Sequence, residues 1–167
     1  MSTLQMAGIY QAVANDGVRI PPRIVDATIS PDGVRTPAPA PEAVRVVSPE
    51  TARSLRTRLT AVRQDARGHR GTGYLAAVPG YQVAGKTGTA QQVDPDCKCY
   101  TSASHTITFA GMLPAQQPRY VVAIMLDAPA AGTSAAPLFH DIASYLAQRD
   151  GLPVSTEAPP VQTLVAP

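Results

Sequence analysis

Apolar residues recur along the chain with two different periods. In TLQMAGIYQAVA, apolar Leu4, Ala7, Ile9, Tyr10 and Val13 follow a possible N-cap at Ser2 or Thr3, and Asn15-Asp16-Gly17 can stop the run, so a helix is predicted over residues 2–14. A second helix is predicted from Ser48-Pro49-Glu50, which supplies an N-cap, a proline in the first turn and an acidic group at the positive dipole end. Ala52, Leu55, Leu59 and Val62 continue it at helical spacing. A third starts near Pro137, carries Phe139, Ile142, Ala143 and Leu146 as its stripe, and ends at Gly151 and Pro153. Between these the period shortens to two. HTITFAGML alternates, with His105, Ile107 and Phe109 on one side, and RYVVAIMLDA is almost continuously apolar, as expected of a strand covered on both faces. The short PAQQPR between them reads as a hairpin connection, which makes the pair antiparallel. Residues 18–34 read as short extended pieces broken by Pro21-Pro22 and Pro31-Asp32-Gly33, and TPAPAP at 36–41 as a polyproline-type connector.

Composition narrows this without choosing a function. A chain of 167 residues with 44% hydrophobic and 16% charged residues suits one domain with a core, while 17 prolines concentrate attention on loops and ends. Residues 1–150 are expected to form the domain and 151–167 a proline-rich, disordered tail. A net charge of +2 argues for no nucleic-acid or membrane-surface partner. Arg53, Arg56, Arg58 and Arg63 on the second helix, with Arg67 and Arg70 beyond, read as a solvated basic face. No stretch reaches the roughly 18–20 apolar residues of a spanning helix, and no signal-peptide layout is present. Cys97 and Cys99 are one residue apart, and His69, His105 and His140 lack zinc-finger spacing, so no metal is expected. Two loop thiols are the plain reading; a Cys-x-Cys disulfide is the alternative in an oxidising compartment.

The candidate chemistry lies in PGYQVAGKTGTAQQV, residues 79–93, which fits two patterns. Gly80 to Thr87 satisfies the phosphate-loop spacing G-x-x-x-x-G-K-[ST], and Asp127 at the end of an apolar strand imitates its magnesium ligand. That mechanism requires a buried strand before the first glycine and a helix starting at the lysine. Instead TGYLAAVP precedes Gly80, and Gly88, Thr89 and Pro95 follow with no apolar helical stripe. Lys86-Thr87-Gly88 is also the K-T-G triplet of serine enzymes that recognise penicillins, and this needs an edge strand. A strand sets Lys86 and Gly88 on one face. Lys86 then brings positive charge toward a carboxylate, Gly88 leaves room for a ligand to approach the backbone, and Thr87 and Thr89 offer hydroxyls.

Around that triplet, VPGYQVAGKTGTAQQ and HTITFAGMLPAQQPRYVVAIMLDAP resemble the C-terminal half of the transpeptidase domain of class B penicillin-binding proteins, most of all the actinobacterial division type. TLQMAGIYQAVANDGVRIPPRIV resembles the helix and segment between that family's second and third motifs. The resemblance implies an α+β fold of β-lactamase/transpeptidase type, a five-stranded antiparallel sheet flanked by helices, of which this chain supplies the K-T-G strand, the next two strands and the C-terminal helix. It implies a peptidoglycan D,D-transpeptidase acting through an acyl-serine, needing no cofactor and inhibited by β-lactams. Lys86, Thr87, Gly88 and Thr89 are the implied substrate-binding residues: Lys86 supports the electrostatics of the cleft, the threonines bind a carboxylate, and the Thr89 N–H is an oxyanion donor. Implied partners are the N-terminal remainder of the enzyme, stem peptides, β-lactams and septal division proteins, at the extracytoplasmic face of a membrane.

One departure limits this. The family also uses S-x-x-K and S-x-N, yet Val83 and Pro95 stand three places before the two lysines, and Val13 stands two before the single asparagine, Asn15. The chain is therefore expected to be the C-terminal piece of a longer, membrane-anchored enzyme and to catalyse nothing alone. Ser102 or Ser104 beside His105 does not replace the missing nucleophile, because neighbours along a strand face opposite ways. His140 is expected to pack rather than to act as a base. A non-catalytic module that holds cell-wall peptides, and more remotely a nucleotide binder, are the competing readings.

Overall fold

Ser2 opens helix α1 (Thr3–Ala14) with a reciprocal cap: the Gln5 N–H donates to the Ser2 hydroxyl at 3.2 Å, and the Ser2 N–H donates to Gln5 Oε1 at 2.7 Å. These coordinates are a computed structural model and describe residues 1–155 and 161–163, so the expected disordered tail lies in part outside the described residues. The helix stops at Asn15, and Gly17 at φ +84° turns the chain where a Cβ would lie 2.2 Å from the Val47 carbonyl oxygen. Four short strands follow, paired β1 (Val18–Arg19) with β4 (Val44–Arg45) and β2 (Ala27–Ile29) with β3 (Arg35–Pro37). The extended pieces expected there are thus two small antiparallel ribbons.

Helix α2 (Pro49–Leu59) starts as its sequence predicts, with the Thr51 N–H donating to the Ser48 hydroxyl at 3.2 Å. It continues into a 3₁₀ turn, Thr60–Arg63, and then into the small hairpin β5 (Asp65–Ala66) and β6 (His69–Arg70). Its buried positions are Ala52 and Arg56, and Leu55 is exposed. The solvated basic face needs correcting at Arg56, which is 7% exposed and closes off the end of α1. Its guanidinium donates to the Val13 carbonyl at 2.8 Å and pairs with Asp16 at 2.8 Å. A charge can be buried here because the last carbonyls of α1 have no helical partner of their own. Arg63 is also partly withdrawn from water, which pulls its guanidinium below its usual range.

The main sheet is antiparallel, in the order β7 (Ala84–Val93), β8 (Tyr100–Leu113), β9 (Tyr120–Asp127). One face carries Ile107, Phe109, Leu113, Val122, Ile124 and Leu126 against α3 (Ala136–Arg149), where the Phe109 and Phe139 rings meet at 4.8 Å between centroids. The buried stripe of α3 is Ala136, Phe139, Ala143 and Ala147; Ile142 is exposed, so the stripe is turned from the predicted one toward small residues. The other face buries Ala84, Met112 and Ala115 beneath Tyr10, Val13 and Leu59, with Val121 of β9 alongside. Leu4 and Ile9 of α1 stay exposed, because the helix is apolar on more sides than it packs. Cys97 and Cys99, in the β7–β8 loop, form a disulfide and are not free thiols. No helix among the described residues is long and apolar enough to cross a membrane.

Candidate active site

Strand β7 has one hydrogen-bonded neighbour, β8, so its outer edge is open among the described residues. Register pairs Lys86 with Ala110, Thr87 with Phe109, Gly88 with Thr108 and Thr89 with Ile107, which sets Lys86 and Gly88 on one face as expected. The phosphate-loop reading fails on the same register. Gly85 to Thr87 lie inside a strand that runs on to Val93, with no helix N-terminus beside Lys86. Asp127 ends β9 and accepts a hydrogen bond from Gln92 Nε2 at 2.6 Å.

Lys86 is exposed, and its ammonium is held in place by its neighbours. It donates to the Thr87 carbonyl at 3.0 Å and the Thr87 hydroxyl at 3.2 Å, and reaches the Thr72 hydroxyl at 3.5 Å. The Thr72 and Thr87 hydroxyls are 2.7 Å apart. Beside them lies a hollow of about 380 Å³ lined by Arg58, Leu59, Val62, Arg70, Thr72 and Lys86, so three cationic side chains surround a largely aliphatic floor. Arg70 is pinned over the Tyr74 ring at 3.4 Å and paired with Asp65 at 3.1 Å.

Gly88 does less for a ligand than the sequence suggests. A Cβ there would sit 2.4 Å from the Thr108 hydroxyl, so the cross-strand threonine fills the space that the glycine leaves. Thr89 is exposed and borders a second hollow of about 360 Å³, shared with Ser102, His105, Ile107 and the β9–α3 loop at Pro129 to Thr133. Ser104 donates to Gln92 Oε1 at 2.5 Å, while His105 belongs to the hollow beside Thr89, so they form no nucleophile–base pair. His140 Nδ1 sits 2.6 Å from the Ala77 carbonyl and ties α3 to the segment leading into β7. Among the described residues no group of histidine, cysteine, aspartate and glutamate side chains could hold a metal.

Sequence reasoning reads GHRGTG as a turn-rich approach to β7, with a cleft-lining role as the lesser alternative, and does not single out Thr72, which stands between Gly71 and Gly73. A Cβ on Gly71 would be 2.2 Å from the Ala61 carbonyl oxygen, and one on Gly73 would be 2.8 Å from Phe109 and 3.2 Å from Thr87. These glycines mark close approach rather than flexibility.

An edge strand bearing K-T-G-T, backed by an aromatic core and faced by a fixed hydroxyl, defines a class. Residues 1–144 match the penicillin-binding protein transpeptidase domain, and the chain belongs to that family. It is 56% identical over 99% of its length to penicillin-binding protein PbpB of Mycolicibacterium smegmatis and 55% identical to PbpB of Mycobacterium tuberculosis. The chain spans 27% and 26% of those two relatives. A crystal structure of penicillin-binding protein 3 from Mycobacterium tuberculosis complexed with ampicillin superposes with a TM-score of 0.95 at 54% identity, covering 100% of this chain and 39% of that one. The fold class expected from the sequence is therefore the one found.

Proposed function

We propose that this chain supplies the substrate-binding edge strand of a peptidoglycan D,D-transpeptidase. Lys86, Thr87, Gly88 and Thr89 receive the C-terminal part of a stem peptide or a β-lactam, while the S-x-x-K serine that attacks it is contributed by sequence this chain does not contain. The observation that carries the reading is the Lys86–Thr87–Thr72 cluster on an open strand edge. An open edge offers backbone donors and acceptors to an extended peptide, and the ammonium beside two hydroxyls favours a carboxylate there. The serine adds to the penultimate D-alanine carbonyl, D-alanine leaves, and an amine from a neighbouring stem releases the acyl group. The Thr89 N–H is assigned to the oxyanion that forms in each addition step, where a preorganised donor is worth most. Septal cell-wall synthesis proteins at the extracytoplasmic membrane face are the proposed surroundings.

The test is a fluorescent penicillin with intact-mass detection. We expect no adduct on this chain alone. One penicilloyl group is expected when the chain is combined with a segment carrying S-x-x-K and S-x-N, and it is expected on that segment. An adduct on the isolated chain would overturn the assignment. Absence of any adduct from the combined protein would do so as well, and would favour the non-catalytic peptide-holding module.

A further inference from the structure

We infer that Thr72 is a positioning residue for the K-T-G strand, one that commits the Thr87 hydroxyl to donating its proton outward; this rests on the carboxylate-binding role proposed above. The argument is a count of hydrogen-bonding capacity. A threonine hydroxyl has one proton and two lone pairs. Thr87 Oγ1 lies 3.2 Å from the Lys86 ammonium, which can only donate, and that contact occupies one lone pair. If Thr72, 2.7 Å away, donates to the other, the only capacity left to Thr87 is its own proton. A hydroxyl in that condition can greet an anion and cannot accept from a competing donor. The reverse arrangement, Thr87 donating to Thr72, would turn an oxygen lone pair toward an incoming carboxylate. A bound carboxylate therefore selects the first arrangement, in which the Thr72 proton is spent on Thr87.

Thr72 is built into that position although its side chain is exposed. The Gly71 N–H donates to the Gln64 carbonyl at 2.8 Å and the Gly73 N–H to the Val62 carbonyl at 2.9 Å, so the backbone on both sides is tied to the end of the 3₁₀ turn. The Gln64 side chain donates to the His69 carbonyl at 2.6 Å and steadies the approach. Neither flanking glycine has room for a Cβ. The Thr72 hydroxyl is thereby carried by a rigid clip on a separate element from β7, as a preorganised site requires.

The experiment uses Thr72→Val, which keeps the shape and removes the hydroxyl, and Thr72→Ser, which keeps the hydroxyl. In the combined protein, the second-order rate of acylation by the fluorescent penicillin should fall on the order of tenfold in Thr72→Val and return to near the wild-type rate in Thr72→Ser. Thermal midpoints close to wild type should accompany both. A wild-type rate in Thr72→Val overturns the inference, and so does a Thr72→Ser as slow as the valine variant. A second readout needs no catalysis. Threonine-selective ¹³C labelling of this chain reports the Thr87 χ1 rotamer through three-bond couplings to its methyl group. Loss of the Thr72 hydroxyl should release the Thr87 side chain into rotamer averaging in Thr72→Val, and Thr72→Ser should restore the single rotamer. Should the combined wild-type protein take up no penicillin, the functional proposal falls by itself, and an unchanged Thr87 rotamer in Thr72→Val is then what would overturn the role of Thr72.

Discussion

Gly85 immediately precedes the Lys86-Thr87-Gly88 triplet and Gly88 ends it, yet the two answer to different neighbours. A Cβ on Gly85 would stand 2.6 Å from the Ala110 carbonyl oxygen and 3.0 Å from the Gly111 Cα, both backbone, so the strands would have to separate. Gly85→Ala should therefore destabilise the chain by about 1–3 kcal/mol in urea unfolding. Gly88→Ala meets mainly the Thr108 side chain, so pairing it with Thr108→Ala should recover most of its loss, whereas no single side-chain trim should rescue Gly85→Ala. Arg56 is the other residue whose environment sets its effect. Arg56→Met keeps the aliphatic bulk but leaves the Val13 and Ala14 carbonyls without their donor, at a cost of about 1–3 kcal/mol. Asp16, with its side chain 52% exposed, can return to water, so the loss should fall short of that of a fully buried ion pair.

At the level of elements, the two N-terminal helix starts follow from local chemistry and can be tested locally. The Glu50 carboxyl is held below its usual range first by a backbone hydrogen bond and then by the Ser48 hydroxyl. A lowered folded value means that the contribution is fully present above the ordinary carboxylate value and is lost as pH falls below that value and through the lowered folded one. Glu50→Gln should flatten that part of the stability–pH curve by lowering stability slightly at neutral pH while leaving acid-pH stability little changed. Gln162, among the described C-terminal residues, also docks on an element. The Gln162 backbone exchanges hydrogen bonds with the Gln64 side chain at 2.7 and 2.8 Å, and its amide donates to the Thr57 carbonyl and the Thr60 hydroxyl at 2.6 and 2.7 Å. Strands β8 and β9 were legible as alternating or continuous apolar runs, β7 from its K-T-G pattern, and all three α-helices from caps and spacing, whereas the two-residue strands β5 and β6 are too short to leave a period. The buried stripes of α2 and α3 were less so, because the partner surface decides which way a helix turns. Arg56 and Ala147 occupy core positions that Leu55 and Ile142 would claim on hydrophobicity alone.

For the molecule as a whole, the sheet has three strands with an outer edge at both β7 and β9 among the described residues. Val122, Ile124 and Leu126 of β9 pack on one face, but no strand covers its outer backbone groups. Isolated protein should consequently associate with rising concentration in light scattering, and combination with the S-x-x-K segment should suppress it. The sequence alone placed the three helices, the antiparallel β8–β9 hairpin and the strand that carries Lys86-Thr87-Gly88-Thr89, because caps, period and turn residues are local signals. Only the tertiary structure brought Thr72 to within 2.7 Å of Thr87, gave the space beside Gly88 to Thr108 and buried Arg56 against α1. Those three depend on residues from 15 to 43 positions apart meeting in space, and no local pattern encodes which of many polar side chains will meet.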